Sequence, residues 1–313
     1  MDVSVRLLQE SELQEADRIF RLAFGTFIKL ADPMQFCGDA GYFHHRWKTD
    51  PSAAFAAEVD GQLVGSIIAV NWGSFGYFGP LSVHPDFWGQ GVAKQLVGAA
   101  CDRFKAWNNQ QTGLFTFPNS PLHHGLYQKF GFWPHYLTMV MGKTVNSHQA
   151  VSNEAQFSQL TPSQQQECLQ ACRELTDSLY LGLDVSGEIQ IVSSLNLGDT
   201  LLLWDESGLA GFAVCHWGAG TEAGSDTCYV KFGAVRPGRQ AGDRFEQLLN
   251  LCEAVTATQG LSRLVAGVNS GRQAAYQQMF NQGFRTEVTG VTMLQPHDGG
   301  YNRPDIFALD DWR

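Results

Sequence analysis

Apolar and polar positions follow two rhythms along this chain, and the switches between them mark out the elements. "SVRLL" near the start reads as a short strand. "SELQEADRIFRLAFGTF" (11–27) spaces its apolar residues as a helix does, with Ser11 as its N-cap. "AAFAAEV" and "QLVGSIIAV" are apolar runs on either side of Asp60-Gly61, a hairpin signal. "YFGPLSVHP" is a further strand, closed by Pro85. "GVAKQLVGAACDRFKAW" is again amphipathic with a helical period. "TGLFTF" is a strand, "PLHHGLYQKF" a short helix and "PHYLTMVMG" a final strand. The order predicts a mixed α/β sheet with helices on both faces.

The pattern then repeats. Val83, Pro85 and Leu96 recur as Val235, Pro237 and Leu248, each 152 positions on, and Met141 recurs as Met293. Upstream the offset is 146, taking Leu63 and Gly65 to Leu209 and Gly211. The second copy has thus gained six residues, which we place in "GAGTEAGSD" (218–226). A period of this size is a duplicated domain, not a solenoid. The polar stretch "KTVNSHQAVSNEA" (143–155) reads as the boundary. The expected division is a domain at 1–145, a linker at 146–155 and a second domain at 156–313.

Composition narrows the function. The 313 residues carry a net charge of −10, which argues against nucleic acid as a partner. The imbalance is uneven, with −1 over residues 1–145 and −9 over 146–313. A polyanionic ligand therefore suits the first half better. No apolar run has the length of about 20 residues that spans a bilayer, so no membrane partner is expected. The seven cysteines show no CxxC pair, and Cys168 and Cys172 read as buried thiols, not as ligands. No metal is expected. With no leader-like start, the expected location is the cytoplasm.

The chemistry gathers after the strand that ends at Val83. Gly89 and Gly91 precede a helix. A glycine-rich loop can turn its N–H groups toward one point, and the helix adds its positive N-terminal end. That suits a pyrophosphate, with Lys94 adding charge, although a plain turn also fits. Neither the Rossmann nor the P-loop spacing is present.

"LSVHPDFWGQGVAKQLV" resembles the acetyl-CoA-binding motif of the GCN5-related N-acetyltransferases (GNAT). In that motif a strand ends in Val-x-Pro and leads to Arg/Gln-x-x-Gly-x-Gly/Ala and a helix. Gly91 and Ala93 match the last fixed positions, and Trp88 stands where Arg or Gln is usual. "NSPLHHGLYQKFGF" (119–132) resembles the family's later segment, where Asn precedes a helix ending in Tyr-x-x-x-Gly-Phe. The resemblance implies two tandem acyl-CoA N-acyltransferase-like domains, each a mixed, mostly antiparallel sheet flanked by helices. It implies acetyl-CoA, or another acyl-CoA, as co-substrate. Leu81, Ser82 and Val83 would pair with the pantetheine arm. Trp88, Gly89, Gln90, Gly91, Val92, Ala93 and Lys94 would hold the pyrophosphate. Asn119 would contact the arm or serve as a helix cap. Tyr127 would protonate the leaving thiolate or simply pack in the core.

The resemblance implies an amine of a small molecule or peptide as acceptor. Phe27, Tyr42, Trp72 and Tyr77 stand for an aromatic acceptor wall, or else for core and the contact between halves. No Asp or Glu lies between Leu63 and Val83, so no carboxylate base is evident there. Glu58, His44, His45 and His84 are the remaining candidates, and none is assigned. In the second copy Gly91, Ala93, Lys94 and Tyr127 become Asp243, Phe245, Glu246 and Met279. It therefore reads as a degenerate copy that walls the acceptor, binds it or holds a homodimer. The rival to an N-acetyltransferase is a non-catalytic acyl-CoA-binding sensor or interaction protein.

Overall fold

A computed structural model describes residues 2–145 and 156–313, so the expected linker at 146–155 lies outside the described residues. The first half runs β1 (Ser4–Leu7), α1 (Leu13–Phe27), α2 (Phe43–Thr49), β2 (Ala54–Val59), β3 (Gln62–Trp72), β4 (Phe75–Val83), α3 (Val92–Trp107), β5 (Gln111–Thr116), α4 (Pro121–Gln128) and β6 (Trp133–Thr144). The second half runs α5 (Pro162–Leu179), α6 (Ser186–Ser194), β7 (Gly198–Asp205), β8 (Gly208–Gly218), β9 (Gly224–Val235), α7 (Ala241–Thr258), β10 (Arg263–Asn269), α8 (Gln273–Asn281), β11 (Arg285–Gln295) and β12 (Ala308–Leu309).

The strongest local signals hold. Asp60 and Gly61 both take positive φ, 50° and 78°, as the tight β2–β3 hairpin requires. Ser11 is not the cap of α1. A short 3-10 turn, Glu10–Glu12, precedes the helix, with Gln9 as its N-cap. Arg6 explains it, because its guanidinium holds both Glu12 oxygens at 2.7 and 2.8 Å and pins that turn.

All strands but β12 lie along one path, in the order β1-β2-β3-β4-β5-β11-β6-β10-β9-β8-β7. The halves exchange their last strands. β11 of the second half pairs with β5, and β6 of the first pairs with β10, both antiparallel. The two exchanged strands pair with each other at the centre of the sheet. The exchange is symmetric, since Met139 faces Val268 and Val291 faces Thr116, related by the same 152-residue offset. Division at 145 is thus a division of sequence. In space Met139, Met141 and Val145 belong to the second core, with Phe245 and Leu264. Val291 and Met293 belong to the first, with Leu114 and Phe132. A third core, around Trp72, Tyr77, Leu175, Phe232 and Trp312, joins the halves.

β4 and β5 make a short parallel contact over Phe75–Gln111, Gly76–Thr112 and Tyr77–Gly113, and then diverge. β4 carries a bulge where its pairing with β3 jumps from Ala69–Phe78 to Ile67–Leu81. A bulge bends a strand and strengthens its twist. Here it turns the end of β4 away from β5 and opens a slot toward the N-terminus of α3.

Candidate active site

The slot offers two sets of main-chain groups. His84 N–H donates to the Val64 carbonyl at 2.8 Å. An antiparallel ladder alternates its bonded pairs, so Ser82 turns its main chain toward Ser66, while Leu81 and Val83 turn theirs toward the slot. Of the three expected strand contacts, Leu81 and Val83 face the slot and Ser82 does not. The second set is the start of α3. Gly91 precedes it with φ 83° and no side chain caps it. The first helical bond there is Gln95 N–H to Gly91 carbonyl, at 3.3 Å, leaving Val92, Ala93 and Lys94 with N–H groups free of a helical partner.

Gly89 and Gly91 both have positive φ, 73° and 83°, and nothing lies within 4 Å of where a Cβ would stand on either. The glycines are therefore needed for the backbone path, and the space before them is open. The Gln90 amide donates to the Asp86 carbonyl at 2.9 Å and steadies the loop. Trp88 folds back. Its indole N–H donates to the Val83 carbonyl at 2.7 Å, so its ring closes the strand end and is not aimed at the open N–H groups.

On the far lip, Ser120 caps α4 by accepting from His123 N–H at 3.4 Å, and Asn119 stands exposed beside it. The cap is thus Ser120, which leaves Asn119 free. One helical turn past His123 comes Tyr127, only 6% exposed. Its ring lies 5.7 Å from that of Phe78, the residue at which β4 leaves β5. Burial holds the Tyr127 hydroxyl above its ordinary range, so it stays protonated at neutral pH.

A row of half-buried rings from α1 reaches across to the β5–α4 loop. Phe27 lies 4.8 Å from both Phe117 and His123, and Phe24 lies 6.0 Å from Phe117 and 5.2 Å from Phe36. Phe27 therefore borders the slot. Trp72 and Tyr77 are sealed in the core between the halves, 4.9 Å apart, and offer no wall to a substrate. Their burial follows from their position on strands that the second half covers with α5 and α6. Tyr42 is also buried, with the Arg46 guanidinium 5.1 Å from its ring centre.

The candidate bases fall elsewhere. Glu58 accepts from Arg6 at 2.7 Å at the outer edge of the sheet. His44 is exposed on α2. His84 accepts from Asp86 N–H at 3.3 Å and so caps a turn. His45 enters a buried cluster that the sequence did not reveal. At its centre is Glu222, which accepts from His45 at 2.8 Å, from Arg46 at 2.7 and 2.8 Å, and from Lys231 at 2.8 and 3.0 Å. Arg46 also donates to the carbonyl of Gly79, on the β4 bulge, at 2.6 Å. The Arg313 main-chain oxygen accepts from the same guanidinium. The second half thereby grips the bend of β4. Flanking cations hold the Glu222 carboxyl far below its ordinary range despite full burial, so it is anionic. Its only early sign was the six-residue gain in the second hairpin, whose loop carries Glu222.

Residues 17–132 match the model of the Acetyltransferase (GNAT) family. An acetyltransferase of Pectobacterium atrosepticum is 31% identical over 83 residues, which are 26% of this chain and 59% of that protein. The match thus spans under two thirds of that relative's length. Two solved structures extend the likeness of fold to both halves. A candidate acetyltransferase from Pyrococcus horikoshii covers 99% of this chain and 95% of its own, with a TM-score of 0.68 at 12% identity. A GCN5-related N-acetyltransferase from Sphaerobacter thermophilus covers 93% and 95%, with a TM-score of 0.60 at 16% identity. Residues 17–132 are thus similar to the GNAT family, and the fold of both halves is that of these acetyltransferase structures.

Proposed function

We propose that the first half is an N-acetyltransferase that moves an acetyl group from acetyl-CoA to an amine of a small molecule or peptide. The observation that carries this reading is the pairing of open main-chain donors at the start of α3 with a β4 edge that no strand covers at Leu81 and Val83, leading inward to Tyr127. The N–H groups of Val92, Ala93 and Lys94 would hold the pyrophosphate. Leu81 and the N–H of Val83, whose carbonyl Trp88 already engages, would bind the arm as an added strand, and Asn119 would touch it from the other lip. The arm's reactive end would then lie at the bulge, beside Phe78, Gly79 and Tyr127. There the amine nitrogen forms its bond to the acyl carbon as the carbon–sulfur bond breaks. Tyr127 gives its proton to the departing thiolate, and water takes the proton that the amine loses.

A non-catalytic acyl-CoA sensor is the second reading. It is favoured by the lack of any acidic residue from Leu63 to Val83 and by the full engagement of Glu222 with Arg46, His45 and Lys231. A thiol-release assay with a panel of amines separates the two. The enzyme reading expects at least one amine to accelerate CoA release, and Tyr127→Phe to lower kcat about a hundredfold with little change in KM for acetyl-CoA. Acetyl-CoA binding with no acceleration by any amine would support the sensor.

A further inference from the structure

The second half carries a slot of the same build. β9 and β10 pair in parallel from Thr227–Arg263 to Val230–Ala266 and then part. β9 bulges between Phe232 and Val230, the counterpart of the β4 bulge. The 152-residue offset carries Leu81–Val83 to Gly233–Val235 and Ser120 to Arg272. This slot is filled by the chain itself. β12 pairs antiparallel with β9, Ala308 facing Ala234 and Leu309 facing Gly233. Val235 N–H donates to the Phe307 carbonyl at 3.2 Å, and Asp310 N–H donates to the Gly267 carbonyl on β10 at 3.0 Å. One segment therefore bridges both lips.

The segment is also locked. Arg272, fully buried at the start of α8, donates to the Ala308 carbonyl at 2.7 Å and to the Asp310 oxygens at 2.7 and 3.2 Å. The Tyr301 hydroxyl donates to Asp310 at 2.9 Å. A Cβ at Gly267 would stand 2.8 Å from the Asp310 carbonyl oxygen and collide with the Asp311 side chain, so β10 has no room for a larger residue there. The first half has Phe115 at that place.

We infer that Phe307–Asp311 is a permanent occupant of the second slot, a strand of this chain standing where the first half takes the arm of an acyl-CoA. The inference rests on the cofactor reading of the first half for its analogy, and on the geometry above for the occupant itself. It explains why the second copy could lose its phosphate loop. At the position of Ala93 stands Phe245, fully buried in the core. Beyond the occupant the chain crosses to the first half. Trp312 packs 4.6 Å from Phe75, and its carbonyl oxygen lies 3.5 Å from where a Cβ on Gly79 would stand.

Hydrogen exchange on the full chain, read by mass spectrometry with and without acetyl-CoA, tests this. Acetyl-CoA should slow exchange over 81–83 and leave 233–235 and 307–311 unchanged. Arg272→Met strips Asp310 of its cation and should speed exchange over 307–311 and 233–235 roughly a hundredfold. Tyr301→Phe, a milder change, should speed it up to about tenfold. Slowing of 233–235 by acetyl-CoA would overturn the inference. So would unchanged exchange over 307–311 in folded Arg272→Met or, if that variant does not fold, in Tyr301→Phe. Should acetyl-CoA slow neither slot, the cofactor reading fails, while the two variants still decide whether the occupant holds.

Discussion

Trp88 and His216 show how far a residue's type can stand from its work. Trp88 takes the place of an Arg or Gln, yet its indole N–H is spent on the Val83 carbonyl, and the open donors of α3 do not depend on it. His216, on β8, is fully buried with both ring nitrogens unpartnered. It lies 5.4 Å from the His45 ring, among Glu222, Lys231 and Arg46. Burial pushes its pKa down to about 3, with the Glu222 charge opposing and the neighbouring cations assisting. An unfolded histidine takes a proton near pH 6.5. Between these values the unfolded state binds a proton that the folded state refuses. The stability is therefore complete above about pH 6.5 and falls as the pH drops, by about 2 kcal/mol at pH 5. Urea unfolding at pH 7 and pH 5 should show that extra loss in the wild type and not in His216→Leu. Equal losses would contradict the assignment.

At the scale of elements, most strands and helices were legible because their periods are clean and their turns carry Asp-Gly, Pro or paired glycines. The slot loop was legible too, since positive φ at Gly89 and Gly91 is a local demand that sequence records. The exchange of β6 and β11 was not. An apolar strand shows that it will be buried, and nothing in its period says beside which neighbour. The exchange has a consequence for the halves as separate pieces. Residues 1–145 alone would keep β6 without β10 or β11, and β5 without β11, leaving long unpaired edges. They would also lack Val291 and Met293 from their core, and each lost large side chain there costs about 2–5 kcal/mol. A fragment of residues 1–145 should be aggregated or non-cooperative in thermal unfolding, and co-expression with residues 146–313 should restore one transition. A soluble, cooperatively folded fragment would contradict the exchange.

At the scale of the molecule, the proposed function divides the labour between the two copies. The first keeps an open slot with unspent donors. The second fills its own slot and reaches across with Glu222 to hold Arg46, and through it the carbonyl of Gly79. Sequence offered only part of this. Asp243 and Met279, in place of the glycine and tyrosine, lead only to the expectation of a copy without a cofactor. The occupant and the Glu222 cluster join residues far apart in the chain, Arg272 with Asp310 and Arg46 with Glu222, and no local pattern announces such a pair. The most direct measurement is a calorimetric titration of the full chain with acetyl-CoA, for the wild type and for Gly91→Glu. The account predicts one equivalent bound per chain, and binding lost when an acid and a side chain at positive φ enter the cradle. Two equivalents, or unchanged affinity in Gly91→Glu, would contradict it.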